Sequence, residues 1–553
     1  MTIKADVVHR NARIHTLVPA QPRASVLLVA DGRIAAIGDE QLLEQVQGAP
    51  EVVDHGGAVL MPGLVDVHNH HMIAGRADLF ELQLDPTADL PALLHAIRDW
   101  SAELAPDAWV VGGGWGIGMI PELSHPKVLG ALDAAAGGRP VLLRDDSCHN
   151  RWVSSAALAF AGIDAEFPDP TDGTVVRDPY TAAPVGLLFE AAVAPVEHAY
   201  LASAPPTVEQ DAAACRRGVE ILHTFGITAF QDAAASLPML KALKHLDGTG
   251  QLDAWVVTSL QINDNIFGTQ PIGQELIDQR EAYRSPHHRP DFVKIFLDGV
   301  PPARTASFLE PYLPDDVHGA EWQGKTAMSQ SELTEWLLRV AGQGLSAKIH
   351  STGDRAVRMS LDAIAAVRAA GHTANRFQIA HGNFIADDDQ HRLVELDVIA
   401  DISPPLWYPG DIVQALRCCL PRDRVERLHP NRNLLDAGVL VAGGSDWPVV
   451  PAPNPWHGIQ GLVTRADPTG AFPGQLWPEQ AISLYEAVYA YTLGAARAMS
   501  TDDVTGSLET GKFADFVVLD RDPFAVPIDQ VAGTTVEQTW FAGRKVYELI
   551  RAE

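Results

Sequence analysis

The sequence is poor in basic residues, with 41 Lys and Arg against 70 Asp and Glu and a formal net charge of −29. Nucleic acids and anionic membrane surfaces are bound through basic faces, so we expect neither kind of partner. No apolar run approaches the ~20 residues that cross a bilayer. The first residues, MTIKADVVHRNARIHTL, lack the continuous apolar segment of a signal peptide.

Cysteine is scarce as well: Cys148, Cys215, Cys418 and Cys419 are the whole complement, and they form no C-x-x-C pair. This pattern fits a reducing cytoplasm and argues against a disulfide framework, so we expect a cytoplasmic location. Hydrophobic residues make up 46% and charged residues 20% of the chain, as in ordinary globular proteins. The 553 residues are enough for two or three structural units.

Short β-rich segments lie at the two ends of the chain, and the region between them has a different secondary-structure pattern. Residues 1–60 and 505–553 contain short strand-like runs broken by turns, and we predict one small β-sandwich domain built from both termini. Residues 61–504 alternate strand-like runs with helical patterns, which is typical of parallel βα units.

The middle contains eight candidate strands, the number that a (β/α)8 TIM barrel requires. The stretch between the first two is far too long for one crossover, so residues 75–215 are predicted to form a large insertion after the first barrel strand. The candidate strands are 62–68, 227–231, 255–260, 292–297, 345–349, 377–380, 398–402 and 439–442.

The first of these strands leads into a histidine-rich stretch, PGLVDVHNHH. Side chains alternate along a strand, so His68 and His70 share one face and His71 points the other way. Two imidazoles on one face can hold a single metal ion, because imidazole nitrogen suits zinc and its first-row neighbours. Histidines at a strand end can equally be solvated or packed in a core, so a metal site needs further ligands.

Four later strands also carry polar residues at or near their ends. FVKIFLDG contains Lys294, LSAKIHSTGDRA contains His350, FQIAHGN contains His381 and GVLVAGGSDWPV contains Asp446. In a barrel these positions converge at the C-terminal mouth. Taken singly, each has a structural explanation, such as an ion pair for the lysine or a helix cap for the aspartate. Their joint occurrence favours a metal site.

These motifs, in this order, resemble those of the amidohydrolase superfamily of metal-dependent hydrolases, in particular its amidohydrolase family 3 branch, which includes N-substituted formamide deformylases. The resemblance covers almost the whole chain and implies a barrel with a metal centre at its mouth. The matching stretches are GRIAAIG, MPGLVDVHNH, HNRWVSSAAL, GITAFQDA, VKIFLDG, IHSTGDRA, IAHGN, AGGSDWPV and GSLETGKFADFVVLDRDPF.

The resemblance implies two divalent metal ions, with zinc the expected metal, bridged by a CO2-derived carbamate on Lys294. Burial would lower the pKa of this lysine, so that its neutral amine can take up CO2. Two ions sharing a water produce hydroxide near neutral pH, and Asp446 would serve as general acid and base. The implied ligands are His68, His70, Lys294, His350, His381 and Asp446.

We therefore expect hydrolysis of a C–N bond in a small amide, formamide, carbamate or cyclic amide. A mononuclear hydrolase or a deaminase is the nearest alternative. Deaminases of the superfamily carry a glutamate shortly after the fifth-strand histidine, whereas Asp354 occupies that offset here. A non-catalytic regulatory protein on the same scaffold is a further alternative, but the intact ligand set argues against it.

Substrate contacts are predicted in the insertion. CHNRWVSSAAL resembles a family stretch whose histidine lies near the metals, which makes His149 and Trp152 candidates; a solvated histidine and a core tryptophan are the alternative. Trp115 follows three glycines, and its indole would line the pocket or pack in the core. Such scaffolds commonly form homodimers.

The loop after the lysine strand departs from the family pattern. Many relatives have DGSLGSRTA, whereas this chain has DGVPPARTASFLEPY. Arg304 in this loop would bind a substrate carboxylate through a bidentate contact, or would hold the loop by pairing with Asp298 or Glu310. The departure leaves the metal ligands intact and puts in doubt any substrate borrowed from relatives.

Overall fold

The structure is a computed structural model, which describes residues 2–170, 173–263 and 269–550. Its centre is an eight-stranded parallel sheet whose strands, numbered β1 to β8, pair in chain order. A parallel bridge joins Asn69, at the end of β1, to Trp447 in the segment that follows β8, so the predicted (β/α)8 barrel fold is confirmed. The strands are Leu64–Asn69, Ile227–Ala235, Trp255–Gln261, His288–Phe296, Ser346–Ser351, Phe377–His381, Val398–Ile402 and Val441–Gly443.

Helices follow the strands and bury their apolar faces against them. A capping box of Ser329 and Glu332, for example, begins the helix after β4. Among the described residues, no helix has the length and apolarity that crossing a membrane requires. The main helices of this layer are His71–Phe80, Val208–Thr224, Leu237–Gly248, Gly273–Gln279, Gln330–Gly342, Asp354–Ala369, Asp387–Glu395, Asp411–Cys419, Asn431–Ala437, Pro455–Thr464, Leu484–Ala490 and Leu493–Ala498.

The stretch between β1 and β2 contains a separate mixed sheet of six strands. Neighbouring side chains such as Leu142 and Leu143 belong to different hydrophobic clusters, so the sheet is covered on both faces. The cluster containing Leu142 also includes Ala234 of β2 and Phe296 of β4, which places this sheet against the barrel mouth. In spatial order the strands are Leu82–Gln83, Val110–Trp115, Val141–Asp145, Asn150–Val153, Pro184–Glu190 and Gly173–Arg177.

Within the described part of the insertion, five α-helices accompany this sheet, and their buried residues complete its two hydrophobic clusters. Residues 171 and 172, within the predicted insertion, lie outside the described part of the chain, as do Met1 and residues 551–553 of the predicted terminal domain. The five helices are Leu90–Ala102, Ile120–Leu123, Pro126–Ala135, Ser155–Ala161 and Ala194–Ser203.

Both ends of the chain contribute strands to one six-stranded sheet, which packs against a four-stranded sheet from the N-terminal part. Leu27 of the smaller sheet shares a hydrophobic cluster with Leu60 and Phe516 of the larger. The larger sheet has the order Arg544–Glu548, Val536–Phe541, Phe516–Leu519, Val59–Pro62, Arg13–His15 and Arg23–Ala24, and the smaller Arg33–Gly38, Val26–Ala30, Val7–Arg10 and Glu51–Asp54.

Candidate metal centre

The six residues predicted as metal ligands lie together at the C-terminal mouth of the barrel. All six are buried, and all six line the same pocket. His68 lies on β1, His70 directly after it, Lys294 on β4, His350 on β5, His381 at the end of β6 and Asp446 after β8.

His68, His70 and Asp446 form the most compact part of this cluster, with one ligand atom from each inside a 4.8 Å limit. Oδ1 of Asp446 lies 3.5 Å from Nε2 of His68 and 3.4 Å from Nε2 of His70. Ligands about 2.0–2.1 Å from a tetrahedral zinc are separated by about 3.3–3.4 Å. Nε2 of His68 is buried and has no hydrogen-bond partner among the described residues. These three side chains therefore fit one divalent ion.

The other three predicted ligands lie beside this group. The ring of His381 is centred 4.7 Å from that of His68 and 4.6 Å from that of His350. Nδ1 of His381 is 3.8 Å from Oδ2 of Asp446. Nζ of Lys294 lies 4.8 Å from the centre of the Phe296 ring. The first group of three predicted ligands thus contacts the second group through Asp446 and His381.

The pKa shifts favour the protonation states that ligands need. Burial, reinforced by the Lys348 cation, lowers the pKa of Lys294 to about 7. Burial and the charges of both lysines hold the pKa of His68 well below its usual value. Burial alone would raise the pKa of Asp446, but His68 and His70 beside it lower that pKa instead. These directions favour a neutral imidazole at His68 and an ionised carboxylate at Asp446.

A second buried lysine, which the sequence analysis missed, supports the site from below. Lys348 on β5 is in register with Lys294 on β4, and its Nζ bonds to a carboxylate oxygen of Asp401 and, at 2.9 Å, to the carbonyl of Val67. The same oxygen of Asp401 lies 2.9 Å from Nδ1 of His68. Asp401 thus occupies Nδ1 of His68 and leaves Nε2 of the same ring facing the site. The available signals were charged residues inside the apolar runs LSAKIH and VIADI.

We expect the Asp401→Asn substitution to destabilise the protein by about 3–5 kcal/mol, because Lys348 would remain fully buried without its counter-ion. Urea unfolding in the presence of a chelator measures this effect apart from metal binding. Asp388→Asn, at an exposed position, is the control. The double variant Asp401→Leu/Lys348→Met should recover most of the loss. Equal stability of Asp401→Asn and wild type would contradict the role of Asp401 as the counter-ion of Lys348.

The upper wall of the pocket comes from the inserted sheet, through the turn between Val141–Asp145 and Asn150–Val153. His149 on this turn has its ring centre 5.5 Å from that of His350. Burial disfavours its charged form, but the nearby Glu190 carboxylate outweighs burial and raises the pKa of His149. Burial, with Asp145, raises the pKa of Asp146 to about 7. Apolar side chains, from the insertion at Ile117 and otherwise from the barrel and its loops, complete the lining of the pocket: Ile117, Phe296, Val300, Pro301, Pro302, Leu406, Ile412, Leu416 and Val449.

Trp115 and Trp152, two of the predicted substrate contacts, lie in the core of the insertion instead. Both are fully buried and belong to the hydrophobic cluster that contains Leu143. The indole of Trp115 donates a hydrogen bond of 3.0 Å to the Leu143 carbonyl. Along the strands of this sheet, alternate side chains face the barrel, and these two tryptophans pack on the opposite face. The alternative of core packing therefore describes both.

Arg304, the remaining predicted substrate contact, holds its own loop. Its Nε lies 2.9 Å from Oδ2 of Asp315, and its Nη1 donates to the Leu313 carbonyl at 2.6 Å. It is not among the described residues that line the pocket. In the structure Arg304 thus pairs with Asp315, and with neither Asp298 nor Glu310.

A closed parallel barrel with buried histidines, a lysine and an aspartate at its C-terminal mouth defines a metal-dependent hydrolase. Residues 51–547 match the amidohydrolase family, and the chain belongs to that family. The family implies a divalent metal, which the donor set described above fits. The protein is thus a hydrolase that acts on carbon–nitrogen bonds other than peptide bonds.

Individual relatives are similar along much or all of the chain. The N-substituted formamide deformylase of Arthrobacter pascens is 31% identical, with 99% of each chain covered. The exoenzymes regulatory protein AepA of Pectobacterium carotovorum subsp. carotovorum is 26% identical over 66% of this chain and 77% of its own. The crystal structure of an uncharacterized metal-dependent hydrolase from Pyrococcus horikoshii OT3 has a TM-score of 0.73 at 23% identity, covering 94% of this chain and 99% of that one. This last likeness shows the shared fold.

Proposed function

We propose that the protein hydrolyses a small N-substituted formamide, or a related amide, carbamate or cyclic amide, at a centre of two divalent ions. Zinc is the expected metal, and a carbamate on Lys294 is the expected bridge. The observation that carries the proposal is the convergence of six buried ligand residues on one pocket at the barrel mouth. The similarity to the Arthrobacter pascens deformylase over 99% of both chains supports a formamide as the first substrate to test.

Lys294 suits the proposed bridge because burial and the Lys348 cation outweigh the nearby aspartates that would stabilise its protonated form. It is 1% exposed, and its pKa is lowered to about 7. The neutral amine can add to CO2 and release a proton, which gives an anionic carbamate with two oxygen donors. Burial lowers the pKa of Lys348 as well, but its ion pair with Asp401 opposes this shift and holds its amine. Of these two neighbouring lysines, Lys294 is thus the one available for carboxylation.

Asp446 is placed to move the proton in the reaction. When bound, the two ions would lower the pKa of water and polarise the substrate carbonyl. Asp446 contacts both halves of the ligand cluster, through His68 and His70 on one side and His381 on the other. Its carboxylate can accept a proton there and return it to the leaving nitrogen.

We expect metal-loaded protein to release formate from N-substituted formamides with aryl or alkyl substituents, because the pocket wall is largely apolar. Formamides whose substituent carries a carboxylate should react at least about tenfold more slowly, because most of the described lining is apolar and Asp146 is itself acidic. An assay of formate release, run on both sets of formamides, measures the two rates. Removal and return of zinc provide the control. Ammonia release from amino-heterocycles would favour the deaminase alternative. No turnover of any amide or ester by fully loaded protein would favour a regulatory role.

A further inference from the structure

Glu190 connects the inserted sheet to the barrel through both of its carboxylate oxygens. Oε2 lies 2.8 Å from Nδ1 of His149, and Oε1 accepts a hydrogen bond of 2.7 Å from the hydroxyl of Thr305. Glu190 and His149 come from the insertion, whereas Thr305 lies on the loop after β4, the strand of Lys294. All three residues are thus joined across the boundary between the two sheets.

The backbone of Glu190 is held in a conformation that residues with a side chain rarely adopt, with φ 48° and ψ −129°. Such strain persists where the surroundings fix it, and it is concentrated at functional sites. Here the residue ends the strand Pro184–Glu190, and its amide donates a 3.2 Å hydrogen bond to the carbonyl of His149. Backbone and side chain of Glu190 therefore both contact His149.

These contacts determine which nitrogen of His149 is available to a bound molecule. Nδ1 is occupied by Glu190, so Nε2 is the remaining polar atom of a ring that lines the pocket. The same ring lies 5.5 Å, centre to centre, from that of His350. A substrate amide bound near the ligand cluster would thus meet Nε2 of His149 on its opposite side.

We propose that Glu190 is a positioning residue, which holds His149 so that Nε2 contacts the reacting amide, while Thr305 fixes the position of Glu190. This inference rests on the proposed function, within which His149 is the catalytic residue of the pair. The site is then composite: the barrel supplies the metal ligands and the insertion supplies the group that faces them. The substrate would be an amide or formamide small enough to fit between the metal ligands of the barrel and His149 of the insertion.

A double-mutant cycle tests this coupling. With metal bound, Glu190→Gln should lower kcat by about 10–100-fold and change KM by less than about threefold. In a His149→Gln background, the same substitution should have an effect of less than about threefold, because Glu190 acts through His149. Thr305→Ser should retain activity, and Thr305→Val should lose part of it. Glu166→Gln, exposed in the insertion, is the control. Equal effects of Glu190→Gln in both backgrounds would overturn the proposal.

A second measurement needs no substrate. In zinc-loaded protein labelled with 15N-histidine, the His149 signals are assigned by their loss in His149→Gln. Glu190→Gln should change the Nδ1 and Nε2 shifts of His149 and leave the other ring signals and the zinc content unchanged. Unchanged His149 shifts would overturn the positioning role. If the substrate panel yields no turnover, the proposed function fails, but these spectra still decide whether Glu190 holds His149.

Discussion

Lys294→Ala is expected to lower the metal content from two ions per chain to one or fewer, and kcat/KM by about 10³-fold or more. The alanine removes the only lysine of the ligand cluster and with it the carbamate that would bridge the two ions. His68, His70 and Asp446 retain their own contacts, so one ion can still bind. Elemental analysis of protein purified without chelator, together with the formate assay, measures both effects.

Lys241→Ala, at an exposed lysine, is the control for this substitution. In wild type, recovery of activity from the metal-free state with zinc and bicarbonate should increase as the pH rises through about 7, because the Lys294 amine is cationic below that pKa and neutral above it. Metal content unchanged by the substitution would contradict the carbamate bridge. Lys294 would then be structural, and the mononuclear mechanism would be preferred.

Asp446→Asn is expected to have the largest catalytic effect, a loss of about 10⁴-fold in kcat/KM. The substitution removes the proton acceptor and an anionic metal ligand at once. It is conservative for the fold, because Asp446 has φ 59° and asparagine tolerates this left-handed conformation well. Steady-state kinetics, with circular dichroism to check folding, measure the loss.

Asp316→Asn, at an exposed aspartate, is the matched control and should behave as wild type. A loss of less than about tenfold in Asp446→Asn, with the metal content retained, would move the proton-transfer role to another residue. His149 would then be the first candidate, since its ring lines the same pocket.

The barrel could be predicted from the sequence because its signals are local. Each strand is a short apolar run between helical patterns, and ligand residues such as His350 and His381 stand at the ends of such runs. Lys294 and Lys348 show why the contacts between side chains of the site could not be predicted. Both are lysines within apolar strands, and Lys348 is distinguished by its contacts with Asp401 and with the Val67 carbonyl, each on another strand. That difference depends on which side chains meet inside the closed barrel.

Where the two tryptophans of the insertion pack could not be predicted from the sequence, for a related reason. Whether Trp115 and Trp152 face the pocket or a core depends on which face of their sheet lies against the barrel, and a strand pattern is the same in either case. Glu190 gave no recognisable signal, because its partner Thr305 is 115 residues away in the sequence. His149 could be found only through the resemblance of its surrounding stretch.

Two different parts of the sequence encode the pocket: residues scattered along the barrel, and residues of the inserted sheet that covers the barrel mouth. The proposed metal ligands come from five strands spread between residues 64 and 446, so a change in any one of them alters the chemistry. The upper wall, with Asp146 and His149, comes from one contiguous stretch of the gene. Substitutions in this stretch, at positions other than His149 and Glu190, can therefore change which molecules fit the pocket while the metal ligands below stay constant.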